Sequence, residues 1–330
     1  MVLDFPLSVV AAPLLSFFIS FFSILWLVRR KAGWVLDYPN SRSLHSVPVS
    51  RIGGLGLLFG VITTWLCFSI VIPIAIWAGI GLLVVISLID DVWHAPVWCR
   101  FLIHCIVSAG FSMALLLDIY GWVMVLCVAI AIVWMSNLYN FMDGSDGLAG
   151  GMTVIGFGYY GLIAYLAGNT DFAVMNFSIA AAAVAFLLHN FHPARIFLGD
   201  VGAIPLGFLA AALGILGWMD NLWSMWVPLL VFSPFITDST VTLIKRLLRG
   251  KRIWQAHCEH YYQRMVQNGF GHRNTALFAY GLMLAAGASA VWASGQDPAV
   301  QCWVAVLWGG CYLLLMFVSD WNQKYYSNRE

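Results

Sequence analysis

The stretch GWVMVLCVAIAIVWMSNLYNFMDGSDGLAGG, residues 121–151, decides the fold. Residues 121–136 carry no charge; Asn137 and Asn140 follow, and then Asp143 and Asp146 among glycines. A run this apolar suits the hydrocarbon of a bilayer, which takes about 20 helical residues to cross. The rest of the chain has the same character. Of 330 residues, 62% are hydrophobic and 9% charged, and the mean hydropathy is +0.86. Soluble domains carry about 25% charged residues. The sequence therefore predicts an all-α, polytopic integral membrane protein.

About eleven spans are expected, near 7–28, 53–72, 74–89, 99–117, 120–141, 152–168, 172–190, 203–219, 222–244, 275–294 and 299–319. Lipid gives the backbone no partner outside helices and closed barrels, and the alternating ten-residue strands of a barrel are absent. The first run has Asp4 before it and Arg29, Arg30 and Lys31 after it, so it is expected to stay as a span rather than be cleaved as a signal. Residues 1–330 read as one membrane-embedded domain, without a soluble domain or a repeat.

The sixteen Lys and Arg fall in 29–51, at Arg100, at Arg195, in 245–273, and at Lys324 and Arg329. An even number of predicted spans separates each group from the next, so all share one face. The positive-inside rule makes that face cytoplasmic, with the N-terminus outside and the C-terminus inside. The opposite connections carry lone acids: Asp118, Asp171, Asp220 and Asp297. The net charge of +1 gives no sign of nucleic acid, and the seven Cys form no CxxC pair and read as small apolar residues.

The polar residues gather on the charged face. Asp90 and Asp91 lie in LIDDVW, Asp200 in FLGDVG, and His257 and His260 in HCEHYYQR. Asp37, Arg42, His45 and Arg51 lie in DYPNSRSLHSVPVSRIGG, residues 37–54. Ionisable groups this near hydrocarbon are expensive and usually functional. Carboxylates without Cys suit a hard cation such as Mg²⁺, which bridges carboxylates to substrate phosphates, and glycines allow backbone to approach an anion. Asp143 and Asp146 are spaced to share one side of a helical turn, and His257, His260 and Arg264 to share one helix face. The combination predicts phosphoryl transfer at a membrane surface. The run KRLLRGKR, 245–252, reads as an anchor, and His94, His104, His189 and His192 carry no assignment.

The ordered set Asp37-x-Pro39-Asn40-x-Arg42-x-x-His45, Arg51-x-Gly53-Gly54, Asp90-Asp91, Asn137-x-x-Asn140-x-x-Asp143-Gly144-x-Asp146-Gly147, Phe197-x-Gly199-Asp200-x-Gly202 and His257-x-x-His260 resembles the polyprenyl-phosphate N-acetylhexosamine-1-phosphate transferases. This is the superfamily of MraY, WecA and the WbpL-like initiators of O-antigen synthesis, and the resemblance runs nearly the whole chain. The MraY and WecA branches carry consecutive His in the last large loop; HCEHYYQRMVQNGFGHR is similar to the WbpL-like branch instead.

That resemblance implies transfer of an acetamido-sugar 1-phosphate from a UDP-sugar to undecaprenyl or another polyprenyl phosphate. UMP is released, in the first membrane step of envelope polysaccharide (O-antigen, lipopolysaccharide) synthesis at the bacterial inner membrane. It implies Mg²⁺, with Mn²⁺ as a substitute, on Asp200 and Asp143, and allows a homodimer. Asp146, Asn137 and Asn140 would shape the nucleotide pocket and Phe197 would meet the uracil. Asp90 and Asp91 would position the lipid phosphate. His257, His260 and Arg264 would contact diphosphate or sugar, with Arg51 and His45 also binding substrate. The alternatives are a proton-coupled transporter, which places its acids at midplane between repeats, and a CDP-donor transferase, whose DG-x-x-AR pattern is missing from DGLAGG.

Overall fold

The computed structural model describes residues 6–30, 35–39, 43–44, 47–93, 95–255 and 257–327. The expectations placed on Asp4, Lys31, Asn40, Arg42, His45, His94 and Arg329 lie outside them. After α1 (Leu7–Arg30), β1 (Leu36–Asp37) pairs antiparallel with β2 (Val49–Ser50), Leu36 opposite Ser50. There follow α2 (Gly53–Cys67), α3 (Ile74–Trp93), α4 (Val97–Phe141), α5 (Leu148–Leu166), α6 (Thr170–Asn190) and α7 (Asp200–Met219). The chain ends with α8 (Trp226–Val231), α9 (Ser233–Leu248), α10 (Tyr261–Met265), a π turn over Val266–Phe270, α11 (Gly271–Ser294) and α12 (Pro298–Ser327).

Among the described residues, eight helices are long and apolar enough to cross a membrane, against the eleven expected. Three local features account for the difference. The expected spans 99–117 and 120–141 are two helical stretches within α4, separated at Gly121, whose backbone (φ 73°, ψ 179°) is non-helical and open only to glycine. Each stretch is about the 20 residues that cross a bilayer core, so the count of eight takes two expected spans as one. The expected span 222–244 is divided at Phe232, just before Pro234, into α8 and α9. α2 has 15 residues, ending at Cys67.

α7 lies at the centre. Nearly all of its side chains are buried, and it packs against α2, α3 and α4, while α6 packs against α1, α2 and α5. Rows of small residues allow this closeness, as in the Ala180–Ala183 run of α6. Outer faces are apolar instead: Val123, Leu126 and Ile130 on α4 and Trp303, Leu307 and Leu314 on α12 are all exposed, as lipid-facing residues are. α2 crosses α7 closely, and a Cβ on Gly54 would run into the Cα of Gly202. This crossing sets Arg51, just before α2, beside Asp200, the first residue of α7.

Replacing Gly54 with Ala should therefore lower the thermal unfolding midpoint in detergent, by a loss on the order of 1–3 kcal/mol typical of overpacking. Gly81→Ala, where nothing lies within 4 Å of the added carbon, should leave it unchanged or raise it. Equal midpoints for both variants would refute the crossing.

Candidate active site at the helix ends

Asp90 and Asp91 close α3, and the short reversal that follows brings Arg100, in the first turn of α4, back beside them. Arg100 Nη1 donates to Asp90 Oδ2 at 2.5 Å and to Asp200 Oδ2 at 3.2 Å. Arg51 Nη2 meets Asp91 Oδ1 at 2.9 Å. Two arginines thus gather three carboxylates from two helices. Asp200 sits at the N-terminus of α7, where the helix dipole favours a negative charge. The preceding Gly199 has φ 73°, and a Cβ there would strike the carbonyl oxygen of Arg51, so only glycine lets the two strands of chain pass.

Asp143 joins this group from the turn after α4. Desolvation, followed by the charges of Asp200 and Asp146, pushes its carboxyl well above the usual carboxylate range, and the Gly199 N–H offsets part of that. Four carboxylates therefore face two guanidinium groups. Asp91 is enclosed, with the Arg51 guanidinium and the Val201 N–H as its partners. A shortage of positive charge and an all-oxygen donor set together fit a hard divalent cation such as Mg²⁺.

Asp146 goes elsewhere. Residues 142–147 form turns rather than a helix, so Asp143 and Asp146 do not share a helical side as the spacing predicted. Asp146 Oδ2 accepts from His192 Nδ1 at 2.7 Å and from the Ala194 N–H at 3.1 Å. Gly147, left-handed at φ 77°, donates its N–H to Asn190 Oδ1 at 2.9 Å, and Tyr280 donates to its carbonyl at 2.6 Å. The Asn190 amide also donates to the Ile196 carbonyl at 2.9 Å. These bonds fasten the motif turn to the 191–199 connection that carries Phe197 and Asp200. Phe197 is held by its backbone, donating to Ser50 and accepting from Gly53. Asn137 lies deeper in α4, donating to the Val133 carbonyl at 2.7 Å and touching His104 at 3.4 Å. The Asn140 carbonyl takes the Asp143 N–H.

The segment 257–265 also departs from expectation. His257 lies in extended chain and His260 precedes α10, so only Arg264 of the three is on a helix. The cause is Asp238, buried in α9, whose carboxylate accepts the N–H groups of Tyr261 and Tyr262 at 2.9 and 3.0 Å. His260, 2% exposed, packs on Asp238 and stacks between His257 and Phe141. Tyr262 reaches across to donate to the Phe141 carbonyl at 2.9 Å, which lays the segment over the motif turn. Arg264 points away, donating to Asp320 at 2.9 Å and lying 4.1 Å over the Tyr261 ring.

Sequence reasoning passed over Arg100, Asp238, Asn190, His192 and His272. Two of these carried a signal. Arg100 is a cation at a helix N-terminus, against the dipole, and Asp238 is an acid inside an apolar run; each calls for a partner.

The model of glycosyl transferase family 4 matches residues 73–218, which hold every carboxylate of the cluster and Arg100. A Bacillus subtilis protein described as a probable undecaprenyl-phosphate N-acetylglucosaminyl 1-phosphate transferase is 31% identical, over 74% of this chain and 73% of that one. The chain belongs to this family. Within it, a decaprenyl-phosphate N-acetylglucosaminephosphotransferase of Mycobacterium tuberculosis is 26% identical over 87% of this chain and 83% of its own. An undecaprenyl-phosphate alpha-N-acetylglucosaminyl 1-phosphate transferase of Yersinia pestis is 27% identical over 81% and 80%. The MraY and WecA resemblance read from the motifs is thereby confirmed at the level of the superfamily.

One electrostatic consequence can be checked directly. Burial, helped by His260 and Arg246, lowers His257 from 6.5 to about 4, so it is neutral at pH 7. The unfolded chain binds this proton more readily, so His257 costs stability progressively as pH falls from about 6.5 to about 4. In His257→Asn the unfolding midpoint should fall less over that window than in the unaltered protein. Parallel pH curves would show that His257 is not so enclosed.

Proposed function

We propose that the protein transfers an acetamido-sugar 1-phosphate from a UDP-sugar to a polyprenyl phosphate and releases UMP. The observation that carries this reading is the cluster in which Arg100 and Arg51 gather Asp90, Asp91 and Asp200 beside Asp143. Family membership and the activities by which the three relatives are described support it, and those descriptions make UDP-N-acetylglucosamine the first donor to assay. The one-sided Lys and Arg distribution supports a cytoplasmic site in the inner membrane, with the N-terminus outside, and the motif set supports envelope polysaccharide, O-antigen included, as the product's use.

An oxygen of the acceptor phosphate attacks the β-phosphorus of the donor; that O–P bond forms as the bond to the α-phosphate oxygen breaks and UMP leaves. The acceptor is largely ionised at neutral pH, so the main obstacle is two anions meeting. Alignment and fixed positive charge lower it. Asp200 and Asp143 would hold Mg²⁺, with Asp91 beside them; when bound it neutralises charge on the phosphates. Asp90 and Asp91 keep Arg51 and Arg100 aimed at the substrates, and Phe197 supplies a face for the uracil. Tyr262 and the neutral His257 wall the donor side. A cavity of about 970 Å³ between α9, α11 and α12, lined by Met142, Phe235, Tyr262, Phe278, Met283 and Met316, takes the acceptor's isoprenoid chain.

With a donor labelled in its β-phosphate, label should move into the lipid fraction, and UMP should appear in a ratio of about one per lipid, as a single displacement requires. Sugar entering the lipid while the label leaves in UDP would overturn the reading.

A further inference from the structure

Of the site's carboxylates, Asp146 is the one held by the 191–199 connection, and its two hydrogen bonds from that segment give it a different task. We propose that Asp146 presents His192 to the substrates, and that His192 Nε2–H donates a hydrogen bond to a phosphate oxygen. The inference rests on the sugar-1-phosphate transfer reading above.

The geometry fixes the imidazole from two directions. Its Nδ1 is tied to Asp146 Oδ2 at 2.7 Å, and that same oxygen is held by the Ala194 N–H at 3.1 Å. The Asp146 side chain is 9% exposed and that of His192 43%. With Asp146 on Nδ1–H, Nε2 is the outward nitrogen, and it carries the second N–H when an anionic phosphate faces it. Among the described residues Nε2 has no partner. The second constraint is the His272 ring, stacked on His192 with centroids 5.2 Å apart and planes 5° from parallel.

His272 is itself locked. Its Nε2 donates to the Leu44 carbonyl at 3.1 Å, so Nδ1 is the acceptor for the Asp146 N–H at 3.3 Å and the Ser145 hydroxyl at 2.9 Å. The network thus assigns the Nε2–H tautomer to His272. Its ring is a plate behind His192.

Position supplies the ligand. His192 opens the connection that ends in Phe197, Gly199 and Asp200, and Asn190 immediately before it is bonded to Gly147 of the motif turn. The exposed edge of the ring therefore lies on the segment that borders the cluster, where the anions to be bound are the donor's diphosphate and the acceptor's monophosphate. A single N–H donor serves either one. His192 is then a substrate-contacting residue and Asp146 a positioning residue that acts through it.

The test is steady-state kinetics of the full-length protein in detergent, with UDP-N-acetylglucosamine and a polyprenyl phosphate varied in turn. His192→Ala, Asp146→Asn and the double variant are compared, with unfolding midpoints recorded. Loss of one charge-assisted hydrogen bond should lower kcat/KM on the order of 10–100-fold in His192→Ala. Asp146→Asn should lose a similar factor, and the double variant no more than His192→Ala. Imidazole should restore part of the activity of His192→Ala and none of that of Asp146→Asn. A rise in donor KM assigns the contact to the diphosphate, and a rise in acceptor KM to the lipid phosphate; either supports the proposal. His192→Phe, close in size and without an N–H, should show the same loss if the Ala variant folds poorly. Unchanged kinetics in both His192 variants, or additive losses in the double variant, would overturn the dyad while wild-type transfer upholds the reaction. A wild type that moves no β-phosphate into lipid overturns both.

Discussion

Carboxylates close together at the edge of a membrane repel one another and resist leaving water. Everything at this site depends on how that repulsion is met. Arg100 meets it between Asp90 and Asp200, and Arg51 meets it at Asp91. Both arginines are set by backbone constraints rather than by long flexible reach. Arg100 stands just past the reversal between α3 and α4, and Arg51 is pressed beside α7 by the Gly54–Gly202 crossing and the left-handed Gly199. The charge left over at Asp91 and Asp143 is what a divalent cation and its phosphates would balance.

The same logic separates the two aspartates of the motif turn. They are three residues apart, but the turn sends Asp143 toward α7 and Asp146 toward His192. Two carboxylates on one helical side would have deepened the repulsion. Dividing them lets one serve the cation and the other an imidazole. The segment 257–265 is arranged by a third acid, Asp238, which accepts two of its backbone N–H groups and packs on His260, with the Thr242 hydroxyl as a further donor. Its function is to lay Tyr262 across the motif turn while Arg264 turns to Asp320.

Much of this was legible beforehand, and the limits have physical causes. Apolar runs announce helices in lipid, so Leu7–Arg30 or Thr170–Asn190 could be placed within a few residues. A count of spans is harder, because Gly121 separates two helices with no connecting loop and Phe232 interrupts one inside an apolar run. Motif order marked Asp90, Asp91, Asp143, Asp146 and Asp200 as a group. It could not show which partner each would take, since spacing describes a regular helix and residues 142–147 and 257–260 are not one. Arg100 counts in the sequence only toward the sidedness of the basic residues, because its partners are ten and a hundred residues away; only the reversal after α3 and the burial of α7 bring them together.

The central claim is that this cluster binds nucleotide phosphate only with a divalent cation to balance it. Calorimetric titration of UMP into the purified protein, with Mg²⁺ and then with the metal chelated, tests this most directly. Affinity should rise at least about tenfold with Mg²⁺, which is about 1.4 kcal/mol, and Asp200→Asn should lose that gain. Equal affinity with and without the metal would contradict the claim.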